Sequence, residues 1–368
     1  MKFPIFLIVF LIQLKSFAQD VSSAYHIRYY YQLQKYDPNL DYSVKPDAKT
    51  IKILTKNQDI FIDSVSFLTE SQSGYDSIWN ANKYFHTNPF FIHALEISNA
   101  EYAEFLKTHT APAYYPDTLV WLKEGIDDHP YVHYYFQHKA YRTYPVVGIN
   151  HWQAIQFCKW KTEEILKLLK KNGIQNYKVE VSLPQEYEFQ AVYTSLYPKW
   201  VLAFNKAGMG PVIPNSTAFV LGAAGYRANF GEMPSFRLQN LRVPYTYYET
   251  DKGVITPVKS YPSVYGIYNL LGNVSEWTET AARNTLFNTQ EYMYTYTGNL
   301  VPNPMPVDPE MLNKSLHDTT QMEHFYAIKG GSWNQEFFYL QPAATIFKNE
   351  MYRSNNVGFR YVIRFYKN

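Results

Sequence analysis

The sequence predicts an α+β fold, rich in loops, in which a few helices precede a long irregular region poor in strands. Three observations carry this. Apolar residues recur at helical spacing only over short stretches, with one long exception after Asn150. Beyond about residue 195, Pro, Gly and Asn mark turns between short apolar stretches as far as residue 368. Aromatic side chains are abundant, with 35 Tyr, 24 Phe and 7 Trp among 368 residues. Tyr suits an irregular core because it buries apolar area and keeps a polar tip; it suits a protein-binding surface for the same reason.

Taken in order, the chain opens on Lys2 and an apolar run from Phe3 to Leu14, broken only by Pro4 and Gln13. Ser16 and Ala18 place small residues three before and one before a cut after Ala18. Residues 1–18 therefore read as an export signal. The run is too short to span a bilayer as a helix, and no Cys follows it to carry a lipid. Removing Lys2 and Lys15 brings the formal charge from +2 to zero. A neutral chain has no electrostatic reason to seek nucleic acid or an anionic membrane. No later apolar run is long enough for a transmembrane helix in the mature chain.

Residues 19–84 read as an N-terminal extension with short strands around Ile51–Leu54 and Ile60–Phe67, and residues 85–368 as the main domain. Phe90-Phe91-Ile92 starts a strand. Ser98 and Glu101 then form a capping box, each satisfying the other's backbone donor, before a helix to about His109 with Tyr102, Phe105 and Leu106 on one face. Residues 111–144 read as loop, with Pro112, Pro116, Pro130 and many Tyr. His129, His133 and His138 lie there, and Pro130 with no adjacent carboxylate pair favours hydrogen-bonded histidines over a metal site.

Asn150 caps the clearest helix. Trp152, Ile155, Cys158, Thr162, Ile165 and Leu169 form its predicted buried stripe, and Asn172-Gly173 stops it. Cys158 is the sole cysteine, which excludes an intramolecular disulfide, a cysteine zinc site and a dithiol redox motif. On a buried stripe its thiol is expected to be inert, because apolar surroundings raise a thiol's pKa. Val179-Glu180-Val181 is a short strand, and Pro184 opens a further helix carrying Tyr187, Phe189 and Val192. There is no Gly-x-Ser-x-Gly elbow, Walker loop or dinucleotide fingerprint.

Four stretches in order resemble the sulfatase-modifying-factor family, the formylglycine-generating enzymes and their relatives. They are Phe90 to Leu106, Tyr144 to Trp160, Tyr265 to Thr278, and Lys329 to Trp333 with Asn356-Val357-Gly358-Phe359-Arg360. Tyr115-Pro116-Asp117-Thr118 with Trp121, then Tyr135-Phe136, His138 and Tyr144 to Gly148, look like the gliding-motility and type IX secretion lipoproteins of Bacteroidota. The missing lipidated cysteine departs from that subgroup. The resemblance implies the family's loop-rich variant of the C-type-lectin-like fold.

The family enzymes hold copper with two cysteines a few residues after the Gly-Gly-Ser turn, because soft thiolates suit Cu(I). Counted from Gly330-Gly331-Ser332, those positions are Gln335 and Leu340. The resemblance therefore implies a pseudoenzyme with no redox-active cofactor. Cys158 matches a family cysteine that often bonds a partner just after Gly-Phe-Arg, where this chain has Tyr361. Structural calcium is implied at Asn229 and Phe230, through main-chain carbonyls, with Asp251 and Gly253, and at a second site at Asn273 and Glu276.

The leading expectation is an exported binding or scaffold protein, periplasmic or associated with the outer membrane, whose partners are envelope proteins of the secretion or gliding machinery. Tyr114, Tyr115, Tyr131, Tyr134, Tyr135, Tyr141 and Tyr144 are the expected contact surface, since Tyr anchors bury area at low entropy cost. Two alternatives are a metal-dependent oxidoreductase acting on a thiol and a carbohydrate-binding lectin-like module. The first needs a histidine-rich iron site from a separate helical domain that this chain lacks. The second rests on fold analogy.

Overall fold

The computed structural model describes residues 43–69, 83–122, 129–193, 255–281 (except 262 and 264), 292–294, 300–302, 324–335, 337–340 and 345–367. Helices α1 (Ala48–Lys56), α2 (Asn99–Leu106), α3 (His129–Tyr134) and α4 (His151–Lys171) precede most of the strands. A further helix, α5, begins at residue 186 and is described to 193. The export signal expected at 1–18 lies outside the described residues.

The first sheet has the order β1-β4-β12-β5, all neighbours antiparallel. Its strands are β1 (Asp59–Ile62), β4 (Phe90–His93), β12 (Val362–Lys367) and β5 (Tyr177–Ser182). All four residues of β4 are buried. A strand flanked on both edges and covered on both faces reads as a continuous apolar run, as Phe90-Phe91-Ile92 does. The second sheet has the order β10-β9-β6-β11, with β11 (Val357–Gly358) parallel to β6 (Ser275–Ala281). β9 (Phe325–Lys329) and β10 (Ile346–Asn349) complete it. Two separate two-stranded ribbons pair β2 (Val65–Thr69) with β3 (Lys83–Thr87), and β7 (Tyr292–Tyr294) with β8 (Leu300–Pro302).

The strand expected around Ile51–Leu54 is part of helix α1. Asp47 accepts the Thr50 N–H as N-cap, and Thr50 and Leu54, four apart, are the buried face. The cap and that spacing override the strand preference of the β-branched residues there. The strand expected around Ile60–Phe67 is divided into β1 and β2 at Asp63 and Ser64.

The extension assigned to 19–84 does not stand apart over residues 44–62. Val44 N–H donates to Phe365 O at 2.6 Å, β1 pairs along all of β4, and Leu54 belongs to the main core.

Both expected caps form. Ser98 and Glu101 make their capping box, and Asn150 makes another with Gln153. Burial alone would raise the Glu101 pKa, but the His93 imidazole and the Ser98 hydroxyl and N–H bring it down to about 2. α4 runs 21 residues to the Asn172 cap. Its buried face includes Ala154, Phe157, Cys158, Ile165 and Leu169, while Trp152 points outward and stacks on Tyr114.

The main core gathers Phe105 from α2, Phe157 from α4, Trp277 from β6, and Phe359 and Tyr361 from the link between β11 and β12. Among the described residues, no helix is long and apolar enough to cross a membrane.

Candidate functional site

The Gly330-Gly331-Ser332 turn leaves β9 with both glycines in the left-handed region, φ 91° and 70°. A Cβ on Gly331 would sit 2.8 Å from Leu340 Cδ1 and 2.9 Å from the Tyr339 carbonyl carbon. Only glycine meets both the dihedral and the close approach. The turn is clamped to the loop before β6: Gly272 N–H donates to Gly330 O, and Trp333 N–H donates to Asn273 O.

Gln335 and Leu340 lie beside this turn. The Gln335 side-chain oxygen accepts from the Ser275 hydroxyl at 2.9 Å. Leu340 is buried against Gly331. An amide and an isobutyl group offer no soft ligand for Cu(I). Cys158 is buried on α4, where burial pushes its thiol pKa well up. The residues present do not fit the copper centre. Among the described residues, no group of three or more His, Cys, Asp or Glu is placed to hold a metal.

The second expected calcium site is spent on protein partners. Glu276 gives one oxygen to Arg360 Nε and the other to Arg360 Nη2, both at 2.6 Å. The Asn273 side-chain oxygen accepts from the Thr256 N–H and hydroxyl, and its amide donates to Glu96. With its main-chain carbonyl taken by Trp333, this pair does not fit a calcium ion, which wants several free oxygens. Asn229, Phe230, Asp251 and Gly253 lie outside the described residues.

Sequence reasoning missed the charged groups packed behind the turn. Glu96 is fully buried and takes hydrogen bonds from Asn269, Asn273 and the Val274 N–H. Burial and the Glu276 charge push its pKa up to about 8, against the pull of the two amides and Arg360. Lys329 is buried, donates to the Thr345 hydroxyl at 2.9 Å and lies 3.5 Å from Glu186; burial lowers its pKa. His151 Nε2–H donates to Thr278 O at 3.0 Å, the ring stacks on Tyr326, and burial lowers its pKa to about 4. Such an imidazole is neutral at pH 7 and donates to the carbonyl. These groups have shifted pKa values, but Glu96, Lys329 and His151 are sealed from any substrate.

The seven tyrosines of the expected surface divide into one buried, four half-buried and two exposed. Tyr135 is 2% exposed, and its hydroxyl donates to Pro145 O at 2.6 Å. Tyr131, Tyr141 and Tyr144 are half-buried around Trp121 and Tyr135 in a second core cluster that includes Trp333. Tyr114 packs between Phe105 and Trp152. Only Tyr115 and Tyr134 of the seven stand out as exposed. The physical reason is that this stretch has few aliphatic residues, so tyrosines must fill its interior. Residues 129–134 form helix α3 rather than loop, so His129 and His133 share one helix. His138 accepts the Ala140 N–H.

These opposite environments predict opposite responses. Tyr135→Phe removes the hydrogen bond to Pro145 and leaves a buried carbonyl unpaired, with an expected cost of about 1–2 kcal/mol. Tyr134→Ala should stay within about 0.5 kcal/mol of the parent. Urea unfolding of the two variants reads the difference.

An α+β scaffold with a double-glycine turn clamped beside a buried Glu-Arg pair now has a family. The chain matches the sulfatase-modifying factor enzyme 1-like domain over residues 45–365, and it belongs to that family. The match begins where Val44 joins the first sheet. Among solved structures, PvdO from Pseudomonas aeruginosa is similar at 14% identity and a TM-score of 0.44, covering 83% of this chain and 94% of that one. CarF is similar at 16% identity and a TM-score of 0.40, covering 83% and 97%. Treponema denticola variable protein 1 is similar at 16% identity and a TM-score of 0.41, covering 83% and 94%. No curated protein matches the chain.

Proposed function

We propose that the protein is a non-catalytic, exported binding or scaffold component of an outer-membrane-associated assembly, tied to type IX protein secretion or gliding motility. The observation that carries the loss of catalysis is the pair Gln335 and Leu340 beside the Gly-Gly-Ser turn, in a chain with one cysteine. A copper centre built on two thiolates has no second thiolate here. The apolar leader ending at Ala18 supports export, and the motifs from Tyr115 to Gly148 support the secretion or gliding connection. Retention of the fold without the metal ligands leaves shape and surface as what the chain offers.

Two measurements test this. The purified protein, offered Cu(I) and a cysteine-containing sulfatase peptide, should hold substoichiometric copper and form no formylglycine. The tagged protein, isolated from gently solubilised envelopes, should carry envelope proteins at fixed stoichiometry. One redox metal per chain with turnover overturns the pseudoenzyme reading. A clean monomer from the envelope overturns the scaffold reading.

A further inference from the structure

We infer that the surface around the first turn of α4 docks a polypeptide segment that presents a carboxylate between apolar side chains. This rests on the binding role above and gives it a location.

Three chain segments meet there. Gln153 Nε2 donates to Tyr115 O at 2.9 Å, which fixes the 113–119 loop against α4. Asn150 Nδ2 lies 3.7 Å from Met351 Sδ, and His151 N–H donates to Glu350 O, which fixes the 350–354 turn on the other side. Gly148 joins the two, accepting from Asp117 N–H and donating to Ser354 O. On this frame Tyr115 is 45% exposed, Leu119 56%, Trp152 40% and Met351 58%. Tyr114 stacks under Trp152 at 5.3 Å and holds the indole in place. Large exposed side chains on a braced frame are the residue types that make anchors at interfaces, and Met adapts to varied shapes.

Charge selects the partner. Arg353 is half-buried on the 350–354 turn and spends only Nε, on Gln153 Oε1 at 3.3 Å. Its four remaining N–H groups make no hydrogen bond or ion pair among the described residues, and a guanidinium fork fits a carboxylate. Each of the other charges nearby has a contact of its own. Asp117 turns one oxygen to the Leu119 N–H, Glu350 faces His324 at 3.0 Å, and Lys348 lies over the Tyr352 ring. A bilayer surface is a poor occupant, since it is held by clusters of cations and here Arg353 and Lys348 stand among the carboxylates of Asp117 and Glu350. A second copy meeting this patch across a two-fold axis would offer Arg353 only Asp117 and Glu350, each of which already has a contact of its own. A segment with an acidic residue flanked by apolar ones meets both the aromatic anchors and the guanidinium.

The test is site-specific photocrosslinking of the full chain in native envelopes. A photoreactive phenylalanine analogue replaces Leu119, with Leu166 on the outer face of α4 and Tyr134 on α3 as exposed comparison positions. Position 119 should capture one protein, and mass spectrometry should place the adduct within a few residues of an Asp or Glu flanked by apolar residues. Arg353→Glu should cut that adduct about tenfold, and changing the partner's acidic residue to Lys should restore it. Should Arg353→Glu lose its thermal transition, Met351→Ala, which is exposed, replaces it with the same expected loss. Adducts at 134 or 166 with none at 119 overturn this surface and leave the binding role standing. A lipid or a second copy captured at 119 overturns it too. No adduct at any position from a chain isolated as a monomer overturns both.

Discussion

Replacing Arg360 with Leu is expected to cost about 3–5 kcal/mol of folding stability, the penalty for breaking a buried ion pair from one side. Arg360 is fully buried immediately after Phe359. Its guanidinium makes two 2.6 Å bonds to Glu276 and donates to the carbonyls of His93, Tyr268 and Asn269. One side chain thereby ties β4, the loop before β6 and β6 itself to the approach to β12. Leucine leaves three carbonyls and a carboxylate unpaired in the interior. Burial already raises the Glu276 pKa and Arg360 opposes it, so the variant's Glu276 is expected to take up a proton. Pairing Arg360→Leu with Glu276→Leu should recover part of the loss, because removing both charges removes the orphan. Urea unfolding of the single and double variants measures this. A single-variant cost under about 1 kcal/mol would show that the pair does not hold these elements together.

How much of this was legible depended on sequence distance. The Ser98–Glu101 box, the Asn150 cap and the inert Cys158 follow from neighbours three or four residues apart, where helix geometry fixes who meets whom. The Gln335 and Leu340 positions come instead from the family resemblance, which places two copper-binding cysteines after the Gly-Gly-Ser turn. Glu276 and Arg360 are 84 residues apart, and Glu96 and Asn273 are 177 apart. No period links such residues, so Glu276, expected as a calcium ligand, is instead a β6 residue paired with an arginine. Tyr134 and Tyr135 show the same limit at short range. They are adjacent, yet one is 55% exposed and the other 2%. Helix α3 is only six residues long and has Pro130 in its first turn, so the sequence offers too short a period to tell them apart. The Ile51–Leu54 error differs in kind. Its β-branched residues have a strand preference, but the Asp47 cap was in plain sequence view and was the stronger signal.

Stability should fall as pH rises from about 6.5 to 8, and Glu96→Gln should make that fall shallower. Glu96 has an ordinary value of 4.5 and a folded value of about 8, raised by burial and by Glu276. The folded state therefore holds a proton that the unfolded chain releases between those values. Over that window each pH unit costs up to about 1.4 kcal/mol. His151 works the other way at the acid end. Its folded value of about 4 lies below 6.5, so the unfolded chain holds the extra proton and stability rises with pH up to 6.5. The two slopes oppose each other between 4.5 and 6.5. Above 6.5 the opposition ends. There His93 joins Glu96: burial would lower its pKa, but Asp59 and Glu101 raise it overall, so its stabilisation is also lost as pH climbs through the folded value. Gln at position 96 keeps a carbonyl acceptor and cannot ionise. The variant should lose the Glu96 share of the fall, about 2 kcal/mol between pH 6.5 and 8. It should also gain stability from pH 4.5 to 6.5, where His151 acts unopposed. Thermal melts across pH 4.5 to 8.5 separate these cases. Parallel curves for the two proteins would mean that Glu96 is already ionised in the folded state, held by the Asn269 and Asn273 amides and Arg360.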